Sequence, residues 1–339
     1  MKKIRVLIVD DSPFFRQTIA TAISSDPLIE IVAVASNPSE ARDRIVETNP
    51  DVITCDVEMP VMNGIEFLRW LLPQHFVPVI MVSSVSDKVF DAMNAGAVDF
   101  VVKPDQHSFQ NPETFGSDLI RKIKTASTVK LGSLKAQHTA GSIPQGQVKD
   151  SSDRIIVIGA STGGTEAIFN ILKVLPNTVP GIAIVQHIPP IFSKMFAERL
   201  NDQTALTVKE AETGLWPGRG NVVIAPGDMH MKIKKVGGIF QIECFRGEKI
   251  NGHCPSVDVL FESAARDAGN RVIGILLTGM GYDGAKGLLN IRRKGGRTIG
   301  QDETSSIVYG MPKVAQGIGA VEIQASLIDI PKILMNLLE

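Results

Sequence analysis

The sequence predicts an α/β protein: a five-stranded parallel sheet with helices on both faces, then a second, doubly wound and mostly parallel α/β domain. Three observations predict it. The apolar runs are short, β-branched and continuous rather than alternating, as strands buried on both faces require. Segments of helical period lie between them. The pattern fades after about residue 126 and restarts at Arg154, dividing 339 residues into two domains of ordinary size.

Ile4–Val9 is the first such run, and Pro13–Ser24 follows at helical spacing through Phe14, Thr18 and Ile19. Ile29–Val34, Val52–Cys55, Val77–Val82 and Val98–Val102 are the next strands, with helices between, giving five βα units in residues 1–126. Residues 127–153 are rich in Ser, Thr, Gly, Gln and Lys, as in Gly141–Gln147, and read as an exposed linker. The second domain, 154–339, opens with Ile155–Ile158, a helix over Thr165–Val174 and Ile182–Val185. Asn221–Ala225 and the Met229–Cys244 region read as strands, some antiparallel. Arg271–Leu277 is the strongest later strand, and Gly284–Arg293 and Ile330–Leu338 read as helices.

Composition excludes several classes. At 44% hydrophobic and 21% charged residues, the chain is neither disordered nor a disulfide scaffold. Residues 1–120 carry nine Lys/Arg against seventeen Asp/Glu, which would repel a phosphate backbone and argues against nucleic-acid binding there. The basic linker is thin in charge and reads as a solubility or docking segment. Three cysteines make no disulfide framework and suit a reducing cytoplasm. No apolar run reaches membrane-spanning length, and the run after Lys2 and Lys3 breaks at Asp10, too early for a signal peptide.

Chemistry gathers at strand ends. Asp10 and Asp11 end the first strand, Asp56 the third, Ser83 the fourth and Lys103 the fifth. The C-terminal edge of a parallel sheet is where ligands bind. Three carboxylates there repel one another unless a cation joins them, and Mg²⁺ suits such oxygen ligands. An aspartate beside Mg²⁺ and a lysine can act as nucleophile toward a phosphoryl group. Taken singly, each residue reads first as a turn or cap former; taken together they point to function.

Residues 1–126 resemble the receiver domain of two-component response regulators. The resemblance rests on Val9-Asp10-Asp11-Ser12, on Asp56–Gly64 (DVEMPVMNG), on Val82-Ser83-Ser84 and on Val102-Lys103-Pro104. It implies a flavodoxin-like fold, phosphorylation of Asp56 by a histidine kinase, and Mg²⁺ binding by Asp10 and Asp11 with Asp56. It also implies switch roles for Ser83, Lys103 and the aromatic Phe100.

A second cluster begins where Ile155–Ile158 runs into Gly159-Ala160-Ser161-Thr162-Gly163-Gly164 and a helix. A dinucleotide fingerprint would need glycine at Ser161 and an acid where His187 ends the next strand, so it fails twice. A nucleophile turn fits G-x-S-x-G, with the helix N-terminus offering N–H groups to an oxyanion. Alone, that motif also describes an N-cap serine. His187 ends the neighbouring strand, however, and the glycine-rich loop Thr278–Gly284 brings Asp283 to a third strand end. Ser, His and Asp are the parts of a hydrolytic triad. Their chain order differs from that of α/β-hydrolases.

Residues 154–337 resemble the catalytic domain of chemotaxis protein-glutamate methylesterases of the CheB type. The matching strings are Gly159–Ala167 (GASTGGTEA), Gln186–Pro189 (QHIP), Ala225–Met231 (APGDMHM), Pro255–Phe261 (PSVDVLF) and Leu277–Gly284 (LTGMGYDG). The resemblance implies Ser161 as nucleophile, His187 as base, Asp283 as its orienter, and Met280 and Thr162 as oxyanion donors. It implies methyl-accepting chemotaxis receptors as substrates, with deamidation of glutamine as a second activity and no cofactor for the ester chemistry. The expected protein is a phosphorylation-regulated, cytoplasmic esterase with no direct membrane insertion. The competing class is a non-enzymatic regulator whose second domain binds a partner or nucleotide.

His230, His253, Cys254 and Asp228 fit no zinc spacing and read as turn and cleft-wall residues. Arg246, His253, Ser256 and Asp258 are placed at the border of the substrate groove. Cys55 reads as core.

Overall fold

The continuous apolar runs form two parallel sheets. A computed structural model describes residues 2–84, 88–104, 112–129 and 154–339. They belong to two units, Met1–Leu131 and Gly132–Glu339. Of the expected linker 127–153, all beyond residue 129 lies outside the described residues.

The first unit alternates β1 (Ile4–Val9), α1 (Pro13–Ile23), β2 (Ile29–Ala35), α2 (Pro38–Thr48), β3 (Val52–Cys55), α3 (Gly64–Leu71), β4 (Val79–Ser83), α4 (Lys88–Asn94), β5 (Asp99–Val102) and α5 (Pro112–Ala126). The sheet order is β2-β1-β3-β4-β5, all parallel. Helix starts follow side-chain chemistry. Ser12 caps α1 ahead of Pro13, and Asn37 accepts from Glu40 N at 2.9 Å to open α2. Asn63 and Glu66 form a reciprocal capping box on α3. Gly64 follows at once, because a Cβ there would lie 2.0 Å from the Asp56 carbonyl oxygen. That contact lets the helix start directly under the loop that carries Asp56.

The second unit holds β6 (Ile155–Ala160), α6 (Gly164–Leu172), β7 (Ile182–Gln186), α7 (Pro190–Gln203), β8 (Thr207–Glu210) and β9 (Asn221–Ile224). Then come β10 (His230–Val236), β11 (Ile239–Phe245), α8 (Val257–Asp267), β12 (Val272–Leu276), α9 (Ala285–Arg293), β13 (Arg297–Gln301), α10 (Met311–Gly317), β14 (Ile323–Ala325) and α11 (Ile330–Leu338). Seven strands pair in the order β14-β13-β12-β6-β7-β9-β8, all parallel. The chain winds outward from β6 through β7 and β9, then returns to the other side of β6 at β12. That reversal is a topological switch point, and ligands bind at such points. The Met229–Cys244 region is one antiparallel hairpin, β10–β11, outside the large sheet. Val257 and Phe261 of α8 are fully buried. Gly159 admits Val257, whose Cγ1 would lie 2.2 Å from a Cβ at that position. Burying a side chain such as Phe261 contributes about 2–3 kcal/mol.

Among the described residues, no helix is long and apolar enough to cross a membrane.

Val61 is backbone-strained: it is β-branched, its φ is 70°, and its side chain is fully exposed. The left-handed conformation costs such a residue roughly 1–2 kcal/mol. Val61→Asn should therefore stabilise the first unit by about 1 kcal/mol, since Asn tolerates that region and no burial is lost. Urea unfolding followed by Trp70 emission, in a Trp216→Phe background, checks this; an unchanged or lower midpoint would refute the strain.

Candidate active site

Register decides which groups meet in the first unit. Val9 pairs with Cys55, so Asp10 and Asp56 emerge side by side. Ser83 pairs with Val102, and Lys103 N donates to Ser83 O at 2.8 Å. Lys103 Nζ then lies 2.7 Å from Asp10 Oδ2 and 2.5 Å from Asp56 Oδ2, and 4.4 Å over the Phe15 ring. Asp10 is buried and Asp11 exposed; with Asp56 they offer oxygens all within 4.8 Å of one another. The Lys103 ammonium pairs with two of the three carboxylates. Burial pushes the Asp56 carboxyl up and Asp10 adds to the rise, while Lys103 and the Glu58 N–H pull against it; the net direction is upward. This is a donor set that suits a hard divalent cation. Ser83 Oγ is buried and has no hydrogen-bond partner among the described residues. Phe100 is turned inward, edge-on to Phe90 at 6.5 Å.

In the second unit, Ala160 pairs with Gln186 and Gly159 with Leu276, so Ser161, His187 and the Thr278–Gly284 loop leave three adjacent strands. Cross-strand bonds continue past the strands: Ser161 N donates to Thr278 O at 3.0 Å and His187 N to Ala160 O at 3.1 Å. Ser161 O accepts from Gly164 N at 2.7 Å and from Gln186 Nε2 at 2.9 Å. The turn is tight: Gly163 has φ 77°, and a Cβ on Gly279 would lie 2.6 Å from Ser161 Cβ. Ser161 and Thr162 are both buried where α6 begins, and Met280 stands partly exposed on the facing loop. That loop is pinned by Gly279 O, which accepts from Gly310 N at 3.1 Å and Met311 N at 2.8 Å.

His187 Nε2 meets Asp283 Oδ2 at 2.9 Å. Its Nδ1 is buried with no hydrogen-bond partner among the described residues. Asp283 is itself buried and accepts four further bonds: Asn251 Nδ2 at 2.8 Å, Ser256 Oγ at 2.8 Å, Val257 N at 2.7 Å and Asp258 N at 3.2 Å. The last two are N–H groups at the start of α8, whose own cap residue, Ser256, makes no side-chain bond to the helix. Asp283 thus caps that helix from outside, at the positive end of its dipole. Burial pushes the Asp283 carboxyl up, but His187, Asn251 and Ser256 outweigh it and hold it below the usual carboxylate range. Burial also pushes Asp258 up, Gly287 N lowers it and the neighbouring Asp283 charge raises it; the net shift is upward.

Ser256 and Asp258 therefore serve as buttresses behind Asp283 rather than as groove borders. His230 is buried as well: Nε2 bonds Glu248 O at 2.9 Å and Nδ1 accepts from Ser256 N at 3.2 Å, so it braces the same segment. Sequence reasoning missed Asn251, although the Asn251-Gly252 pair is a hairpin-turn signal. It also missed Thr278 and Gln301. Gln301 Oε1 accepts from Thr278 N at 2.8 Å, and Thr278 Oγ1 donates to Thr162 O at 3.0 Å, tying the two loops together.

Residues 156–334 match the CheB methylesterase family and residues 6–110 the response regulator receiver domain. A protein-glutamate methylesterase/protein-glutamine glutaminase 2 of Syntrophomonas wolfei is 52% identical, with 100% of this chain and 98% of that protein covered. The protein-glutamate methylesterase/protein-glutamine glutaminase of Salmonella typhimurium is 42% identical over 100% of this chain and 97% of that one. Among solved structures, the Thermotoga maritima CheB methylesterase catalytic domain is similar at TM-score 0.53 and 39% identity, covering 54% of this chain and 98% of that one.

The depressed Asp283 pKa fixes a pH dependence. The unfolded carboxyl titrates near about 3.9, so the stabilisation is fully present above that value and is lost as pH falls toward the lower folded value. Asp283→Asn should cost about 2 kcal/mol at pH 7. In urea melts of both proteins from pH 7 to pH 3, the gap should close only below about pH 4.

Proposed function

Because the chain belongs to the CheB methylesterase family, with a receiver domain ahead of the catalytic domain, we propose a phosphorylation-controlled Ser-His-Asp esterase acting on receptor glutamyl methyl esters. The observation that carries the chemistry is the one hydrogen bond that the His187 ring makes among the described residues, through Nε2 to an ionised Asp283. It favours the tautomer with the proton on Nε2, which leaves the Nδ1 lone pair as the base. Nδ1 takes the Ser161 hydroxyl proton as Oγ bonds to the ester carbonyl carbon. The carbonyl oxygen becomes an oxyanion, received by the N–H groups of Thr162 and Met280. The carbon–methoxy bond breaks, and methanol leaves with the proton held on Nδ1. Water then adds to the acyl-enzyme by the same base, giving glutamate and free Ser161. With a glutamine side chain the same steps release ammonia, the glutaminase activity that the relatives' names carry.

In the receiver, Asp56 is the phosphoacceptor and a histidine kinase the donor. Asp10, Asp11 and Asp56 would hold Mg²⁺, which supplies charge neutralisation for the arriving phosphoryl oxygens. Lys103, already bonded to Asp10 and Asp56, is placed to take a phosphoryl oxygen. Ser83 and Phe100 are the proposed switch residues: a buried hydroxyl with no hydrogen-bond partner among the described residues, and an aromatic ring turned inward. The substrates are methyl-accepting chemotaxis receptors.

Methanol release from methylated receptor membranes tests both halves. Ser161→Ala should lower the rate by about 10⁴-fold or more; near-normal release would remove the nucleophile assignment. Asp56→Asn should leave basal release intact and abolish its stimulation by a small phosphodonor with Mg²⁺. Stimulation that survives Asp56→Asn would overturn the regulatory half.

A further inference from the structure

Between β11 and α8 the chain makes a turn of which two residues, Asn251 and His253, rest on the proposed catalytic groups. Ile250 and His253 exchange both backbone hydrogen bonds, each at 2.9 Å. Asn251 and Gly252 between them have φ of 53° and 83°. This is the two-residue hairpin with positive φ at both positions, which Asn-Gly favours. Its Asn251 Nδ2 lies 2.8 Å from both Asp283 Oδ1 and Asp258 Oδ2. Its last residue, His253, lays its imidazole flat on that of His187, with ring centroids 3.7 Å apart and planes 9° apart.

Among the described residues the His187 ring makes one hydrogen bond, at Nε2. A bond at one corner leaves a flat ring two soft motions: rotation about Cβ–Cγ, where the torsional wells are broad, and rocking about the bond itself. Either motion swings Nδ1 out of line. A parallel ring at van der Waals distance blocks both on one face, because tilting drives an edge into the neighbour. The neighbour cannot yield easily, since its turn is closed by two backbone bonds and anchored by Asn251 to the same carboxylate.

We propose that His253 is a positioning residue for the esterase: its ring fixes the plane of the His187 imidazole and so aims Nδ1 at Ser161 Oγ. This rests on the Ser161–His187–Asp283 reading. The part of His253 that matters is its flat face, so any planar ring of similar size should serve.

The test uses the full chain with phosphodonor and Mg²⁺, measuring kcat and KM for methanol release from methylated receptor membranes, with thermal melts of every variant. His253→Ala should lower kcat by about 10- to 100-fold, the scale of a misplaced catalytic group, and leave KM within about twofold. His253→Phe should recover kcat to within about threefold of the parent, and His253→Leu, bulky but not planar, should not. Unchanged kcat in a folded His253→Ala, a loss confined to KM, or equal rates for the Phe and Leu variants would overturn the proposal. Should the Ala variant fail to fold, the Phe-against-Leu comparison decides alone. Ser161→Ala runs alongside: if it retains hydrolysis, the triad reading itself falls, a result distinct from a His253 that proves indifferent.

Discussion

The charge on Asp283 is the constraint that the second unit is arranged around. A buried carboxylate without partners would cost several kcal/mol and would take up a proton instead. Here its oxygens are met by two N–H groups of α8, an amide of the Asn251 turn, a serine hydroxyl and the His187 ring. These donors come from separate stretches of chain, so each must be in place for the others to be worth forming. The order of dependence runs outward from there. The ionised carboxylate selects the imidazole tautomer, and in the proposed triad that tautomer leaves Nδ1 as the base. Small residues at Gly159 and Gly284 let the start of α8 come close enough to deliver its N–H groups, since a Cβ at either would strike Val257.

The first unit uses the opposite electrostatic logic. Asp283 has more donors than its charge needs, whereas Asp10, Asp11 and Asp56 have one ammonium among them. Burial first, with the neighbouring Asp10 charge added to it, holds the Asp56 carboxyl up against the pull of Lys103 and the Glu58 N–H. A fixed, fully partnered acid suits a group that orients another residue through every turnover. A more thinly partnered acid suits the proposed phosphoacceptor, which would receive a cation and a phosphoryl group and then return. Burial pushes both Asp56, directly after β3, and Asp283, in the loop after β12, upward; the donors around Asp283 reverse that shift and those around Asp56 do not.

How much of this was legible in the sequence divides by physical cause. Strands buried on both faces, such as Ile4–Val9 and Val272–Leu276, announce themselves by short runs dominated by Val, Ile and Leu, and the groups just past their ends were readable with them. Strand β13 was not, because Thr298 and Gln301 interrupt the run; both are buried and satisfied by hydrogen bonds to Ala320 O, Thr278 N and Ser305 O that only the tertiary structure supplies. The edge strand β8 alternates and is short. In the site, Ser161, His187 and Asp283 could be proposed from spacing and resemblance. The buttresses Asn251 and Ser256 could not, since they act through an acid about thirty residues downstream. The Asn251-Gly252 pair did carry a turn signal, but nothing in the sequence says what a turn will lean on.

The choice of ring nitrogen has a mechanical side. Nδ1 is bonded to the ring carbon next to Cβ, so it is one bond nearer the backbone than Nε2. With Nε2 given to Asp283, the nitrogen left for the substrate side is the one on the shorter arm. A short arm has little leverage: rotamer play displaces its tip less, and displacement of the backbone at its root is passed on almost whole. His187 is rooted at the end of β7, and its own N–H is still in the sheet's bonding pattern with Ala160 O. In the proposed triad the reach of the base is therefore set by the main chain, and the spacing of two adjacent strands becomes the ruler against which the serine is measured.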